Sequence, residues 1–283
     1  MRRKVCCAGC SGFTTGGVAE ARAGNCGTSG GKRCGAARPL ARVRSLAALV
    51  GLAAGSLSWA QSTPPAQPVA LVDEGSKIGA GWRVAGLPGQ KAPLTRYAAA
   101  TVDGRAALRI EAAASYGNLV FDLPGVSAPE RLRWSWRLER PNTAVDLAHK
   151  AGDDAAAKVC LSFALPIEQV PFMERQMLRL ARSQTGELLP AATLCWVWGH
   201  AEAREALIAN PYSRRVRVIV LRNQSDALGR WFDEERDVAA DWKRAFGDES
   251  AQAPPLAAAL VAADADNTGG ASLAYIAGLR FAP

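Results

Sequence analysis

Along most of the chain beyond residue 80, apolar positions recur every second residue. Leu132, Trp134, Trp136 and Leu138 alternate with Arg131, Arg133, Ser135 and Arg137. That period gives one buried and one wet face, as in an antiparallel strand. Residues 215–221 repeat the device, with Val216, Val218 and Val220 on one side. Thr101-Val102, Asp103-Gly104 and residues 105–110 form a hairpin pattern, because Asp-Gly suits the positive φ angles of a type I′ turn. Further strands are expected at 82–85, 118–123, 157–163, 193–198, 256–263 and 273–281, with Pro and Gly punctuating the gaps.

Two segments carry a helical period instead. Residues 171–182 place Phe172, Met173, Met177 and Leu180 near one face. Residues 237–246 put Val238, Trp242 and Phe246 at i, i+4 and i+8, with Gly247 as the stop. About ten strands with long connections predict a mostly β fold. The expected architecture is an antiparallel β-sandwich of jelly-roll type with one or two short helices, a single domain over 69–283.

The N-terminal quarter has a different texture. Residues 45–60 (SLAALVGLAAGSLSWA) follow Arg38, Arg42 and Arg44 and end in the small residues Ser58 and Ala60, a secretory signal cleaved before Gln61. The run is shorter than the ~20 apolar residues of a spanning helix, so the mature chain is not expected to span a membrane. Residues 61–68 (QSTPPAQP) read as a disordered linker into the domain. Residues 1–44 are a basic, low-complexity prefix with five of the seven cysteines, consistent with a start site assigned too early. Its Cys7-x-x-Cys10 spacing has no strand or helix around it to support zinc. The expected location is periplasmic or secreted, which leaves Cys160 and Cys195 in an oxidising compartment, as either a buried free pair or a disulfide.

Charge narrows the partners. The chain has 283 residues and a formal charge of +8, but nine of its 34 Lys and Arg, and only one of its 26 Asp and Glu, lie in residues 1–60. The remainder holds 25 of each. A neutral body removes the electrostatic case for nucleic acid.

Several segments taken in order resemble a known family: Asp153-Asp154-Ala155, Leu194-Cys195-Trp196-Val197-Trp198-Gly199, Asn210-Pro211, Arg230-Trp231, Glu235-Arg236-Asp237-Val238, Asp241-Trp242, Phe246-Gly247, and Asp264-Ala265-Asp266-Asn267-Thr268-Gly269. The set is similar to the bacterial domain-of-unknown-function 3047 family over roughly residues 69–281. The resemblance implies an exported, β-rich protein and no known activity.

The sharpest candidate chemistry is Asp264-x-Asp266-Asn267-Thr268-Gly269. Oxygen-bearing side chains in a short turn suit a calcium ion, which takes several oxygens at about 2.3–2.6 Å. The candidate metal ligands are Asp264, Asp266 and Asn267. The same groups suit the hydroxyls of a glycan or similar polar small molecule, or they simply bond their own backbone as an Asx-turn. Asp153 and Asp154 are the natural distant partners. Trp198 is a candidate ring for stacking on a sugar, whereas Trp134 and Trp136 belong to the core. HExxH and nucleotide-loop patterns are absent, and the one G-x-S-x-G match, at residues 27–31, falls in the low-complexity prefix. A glycosidase needs only two carboxylates, for which Glu234, Glu235, Asp241, Asp154, Asp264 and Asp266 are available, although Arg236 is placed to clamp Glu235 or Asp241. The leading expectation is a non-catalytic, carbohydrate-binding sandwich of the cell envelope. The alternatives are a polysaccharide-cleaving enzyme and a structural protein of the periplasm.

Overall fold

The structure is a computed structural model that describes residues 69–73, 77–185 and 189–282. The expected prefix, signal segment and linker (1–44, 45–60 and 61–68) lie outside the described residues. In chain order the strands are β1 (Trp82–Ala85), β2 (Arg96–Val102), β3 (Arg105–Ala113), β4 (Asn118–Asp122), β5 (Arg131–Arg140), β6 (Ala157–Phe163), β7 (Ala192–Trp198), β8 (Leu207–Ala209), β9 (Val216–Arg222), β10 (Phe232–Asp237), β11 (Leu256–Ala262) and β12 (Ala271–Ala282). Helix α1 (Phe172–Thr185) lies between β6 and β7, and α2 (Val238–Phe246) follows β10 directly.

They form two sheets, ordered β1-β4-β11-β6-β7-β9-β8 and β10-β5-β12-β3-β2. The chain changes sheet at β1/β2, β3/β4, β4/β5, β5/β6, β9/β10, β10/β11 and β11/β12. This repeated exchange between layers is the winding of a jelly-roll β-sandwich, as the sequence pattern predicts. Every pairing is antiparallel apart from β7 with β9, which run parallel. The long connection through β8 brings the chain back in the same direction. The Asp103-Gly104 turn has φ of 51° and 75°, the double positive values that its type I′ geometry demands.

Four tryptophans knit the layers. Trp134 and Trp136 of β5 meet Trp196 and Trp198 of β7 at ring-centroid distances of 5.8 and 5.7 Å. Trp242 of α2 closes the adjoining end, stacked on Phe246 and tilted against Phe163 at 4.7 Å. A second apolar cluster lies on the outer face of the seven-stranded sheet. There Val145, Leu147 and Ala155 cover Cys160, Cys195, Val197, Val218 and Val220. The segment between β5 and β6 is therefore pinned over that sheet, and this fixes where Asp153 and Asp154 sit. Cys160 and Cys195, directly opposite each other in the β6–β7 register, form a disulfide, which resolves the choice left open by the sequence.

Three features differ from the sequence reading. Strands β8 and β10 went unpredicted. β10 is a charged run, Phe-Asp-Glu-Glu-Arg-Asp, that pairs with β5 through cross-strand contacts such as Arg133–Glu235 at 2.6 Å and Arg131–Asp237 at 3.3 Å. Gly247 ends α2 in right-handed rather than left-handed backbone. Glycine is needed because a Cβ there would lie 2.3 Å from the Lys243 carbonyl oxygen. In α1 the predicted apolar face is turned outward, and only Leu178 reaches the core. No described helix is long and apolar enough to cross a membrane.

Candidate functional site

Three segments distant in sequence meet at one end of the outer face of the seven-stranded sheet. They are the connection carrying Asp153 and Asp154, the turn at 210–213 after β8, and the Asp264–Thr268 turn between β11 and β12. Asp154 is 1% exposed and binds the last of these from inside. Its Oδ1 accepts from the Asn267 backbone N–H at 3.2 Å, and its Oδ2 accepts from the Thr268 N–H at 2.9 Å and the Thr268 hydroxyl at 2.5 Å. Asp264, also buried, closes the opposite side. It accepts from the Ala155 N–H at 2.7 Å and from Lys158 Nζ at 2.5 Å. Both carboxylates thus satisfy buried donors that would otherwise be costly.

The rim is less fully paired. Asp153 accepts from Asn210 Nδ2 at 2.5 Å. Asn267 donates through Nδ2 to the Asp153 carbonyl at 3.1 Å, and its Oδ1 accepts from the Tyr212 hydroxyl at 2.7 Å. The Tyr212 ring is 59% exposed and carries Lys150 Nζ over its face at 5.0 Å. Asp266 stands beside Asp154 and Asp264, with carboxylate oxygens of the three within 4.8 Å of one another. Its Oδ1 is shielded from solvent and has no hydrogen-bond partner.

Crowding sets the protonation. Burial, with the nearby Asp264 and Asp154 carboxylates adding to it, pushes the Asp153 carboxyl up to about 6. Burial and the same two neighbours also raise Asp266. Burial works against the Lys158 ammonium, but Asp264, Tyr116 and Asp153 together outweigh it and hold Lys158 above its usual range. Two cations, Lys158 inside and Lys150 at the rim, face four carboxyl groups, so carboxyls outnumber cations and the site is an acidic pole.

The structure brings together Asp153, Asp154, Asp264, Asp266 and Asn267 as the sequence suggested, and it separates Trp198 from them. Trp198 is 1% exposed, with its ring held between Trp136 and Phe232. Its edge helps floor a small cleft of about 180 Å³ with Leu138, Pro141, His200 and Leu228, but it offers no free face for stacking on a sugar. That expectation is corrected: β7 turns Trp198 toward the opposite sheet.

A calcium ion also fits this donor set poorly. Asn267 Oδ1 is taken by Tyr212, both oxygens of Asp264 already accept, and the Lys158 ammonium supplies the neutralising charge. Only Asp266 keeps an uncommitted buried oxygen. Lys158, Asn210 and Tyr212 went unselected as site residues. Lys158 reads as a solvent-facing strand residue, and Asn210 and Tyr212 read as loop residues some 55 positions from either aspartate segment.

The other candidate carboxylates are committed elsewhere. Glu234 Oε1 accepts from Trp136 Nε1 at 2.9 Å and Arg222 Nε at 2.6 Å. Glu235 pairs with Arg133. Asp241 receives Trp196 Nε1 at 2.7 Å and a two-pronged Arg236 guanidinium at 2.8 Å on each oxygen. This is the clamp expected for Arg236, with Asp241 as its partner.

A jelly-roll sandwich with this acidic pole defines a class of fold and site, and the sequence supplies the family. The model of DUF3047, a family of proteins of unknown function, matches residues 80–280, and the chain belongs to that family. No curated protein matches the chain in sequence. Among solved structures it is similar to endoglucanase 3 of family GH12 from Trichoderma harzianum, at 8% identity and a TM-score of 0.38, over 72% of this chain and 100% of that one. It is also similar to the endoglucanase cel12A of Rhodothermus marinus, at 12% identity and a TM-score of 0.34, over 70% and 94%. A thermostable cellulase derived from that Cel12A gives 15% identity and the same TM-score, over 72% and 96%. Likenesses this remote carry no argument about this chain.

Proposed function

We propose that this is an exported, non-catalytic β-sandwich that binds an uncharged or cationic polar ligand, with a carbohydrate the best match, at the acidic pole. The observation that carries the reading is Asp266 Oδ1, an acceptor sheltered from water and left without a donor. A buried acceptor of this kind costs free energy until a donor reaches it. Ligand hydroxyls supply such donors. Around it stand the half-buried Asp153 and the exposed Tyr212 ring, which gives an apolar face beside hydrogen-bonding groups. The excess of carboxylates disfavours anionic ligands. Support for binding over cleavage comes from the commitments of Glu234, Glu235, Asp241, Asp154 and Asp264, each already held by arginine, tryptophan, lysine or backbone donors. A glycan array probed with the full chain tests the reading. Neutral or amino sugars should be retained by wild type and lost by Asp266→Ala and Tyr212→Ala. An array on which only acidic glycans are retained, or none, would overturn it.

A further inference from the structure

The Cys160–Cys195 disulfide does not lie between the two sheets. It sits on the outer face of the seven-stranded sheet, its cysteines 2% and 4% exposed, under the irregular connection between β5 and β6. Val145, Leu147 and Ala155 of that connection form the cover. An irregular segment opens at lower free energy than core strands, so this cover can lift without parting the sheets. Its fastenings are at the acidic pole. Asp154 holds the backbone N–H groups of Asn267 and Thr268 and the Thr268 hydroxyl. The same hydroxyl accepts from Asn142 Nδ2 at 2.9 Å, near the start of the connection. Ala155 joins the two features directly. It packs in the apolar cluster with both cysteines, its N–H donates to Asp264 Oδ1 at 2.7 Å, and its carbonyl accepts from the Asp264 N–H at 3.1 Å.

From this arrangement we infer that residues 141–156 are a strap coupling the redox state of Cys160 and Cys195 to the geometry of the acidic pole. The reductant is an external dithiol, which reaches the sulfurs only when the strap lifts. Its thiolate attacks one Sγ, forming a mixed disulfide and releasing the other cysteine as a thiolate, which takes up a proton. The second thiol of the reductant then displaces the remaining cysteine and closes a disulfide of its own. Two electrons and two protons thus pass from the dithiol to the cysteines. Two unbonded sulfurs need more room than a bonded pair in a close-packed cluster, so the thiols press on Ala155 and slacken its hold on Asp264. As regulation of the pole the inference rests on the ligand reading above, but its test needs no ligand.

The full chain is incubated with dithiothreitol under native conditions and its thiols are trapped by alkylation at intervals. The Cys160 and Cys195 peptides are followed by mass spectrometry, which separates them from the cysteines of the prefix. Asp154→Ala should be reduced roughly tenfold or more faster than wild type. Thr268→Val removes only the hydroxyl that Asp154 and Asn142 share, and should give a smaller increase. Ile110→Val, a buried change in β3 of the other sheet, should leave the rate unchanged. In wild type held reduced, hydrogen exchange at the Ala155, Asn267 and Thr268 amides should quicken several-fold while β3 keeps its protection. Reduction rates that rise in all three variants in step with their lowered melting temperatures would assign access to global unfolding and overturn the inference. Unchanged exchange at the three pole amides on reduction would also overturn it.

Discussion

Asp241 and Asp266 both lie in the stretch that matches the family, residues 80–280, and they meet opposite fates. Asp241 is 5% exposed and enclosed by donors: the Trp196 indole on one oxygen and the Arg236 fork across both. Its charge is matched inside the fold, and it ties α2 to β7 and β10. Asp266 lies among carboxylates, keeps a sheltered oxygen with no donor, and has its pKa raised by burial and by Asp264 and Asp154. A satisfied buried carboxylate stabilises the sandwich. An unsatisfied one is tolerated at a net cost, which is the arrangement expected where an outside molecule completes the hydrogen bonding.

Substitutions should separate the two. Asp241→Ala leaves a buried indole N–H without an acceptor and takes from Arg236 one of its two carboxylate partners, Glu205 remaining, and should cost about 3 kcal/mol in urea denaturation. Asp154→Ala releases the Asn267–Thr268 turn and should cost about 1–3 kcal/mol by the same measurement. Asp153→Asn should do the reverse. Its carboxyl titrates near 6 in the fold against an ordinary 3.8, so the folded state holds the extra proton between those values. Stability therefore falls as pH rises through that window and stays lowered above it. The Asn variant should flatten that fall and gain about 1 kcal/mol at neutral pH, after allowance for solvent screening of a part-exposed group. Melts at pH 4 and pH 7 check both sign and window. Asp266→Ala should leave stability unchanged or raise it by up to about 1 kcal/mol, since its orphaned oxygen contributes no hydrogen bond and its charge stands among other carboxylates. A loss as large as that of Asp154→Ala would place Asp266 among the structural carboxylates and dissolve the contrast.

The alternation of Leu132 to Leu138 and the Asp103-Gly104 turn were legible because burial on one face and positive φ leave direct marks on residue choice. β10 was not legible, since its partner is a row of arginines on β5 and its pattern is one of charge rather than of hydropathy. The period of 171–182 correctly announced a helix. Periodicity shows that a face exists and not which way it points, and here ion pairs at Glu174 turned the apolar side out. At the pole, the oxygen-rich turn and Asp153-Asp154 stood out as local clusters. Lys158, Asn210 and Tyr212 joined them only through strand register and the covering of the outer sheet face, which no local spacing encodes.

The most direct test of the account is calorimetric titration of wild type and Asp266→Ala with a neutral glycan retained on the array, with melting temperatures measured in parallel. The account predicts saturable binding by wild type and at least a tenfold weaker interaction for the variant, equivalent to about 1.4 kcal/mol, with the melting temperature of the unliganded variant no lower than that of wild type. Equal affinity of the two proteins, with the variant folded, would contradict it.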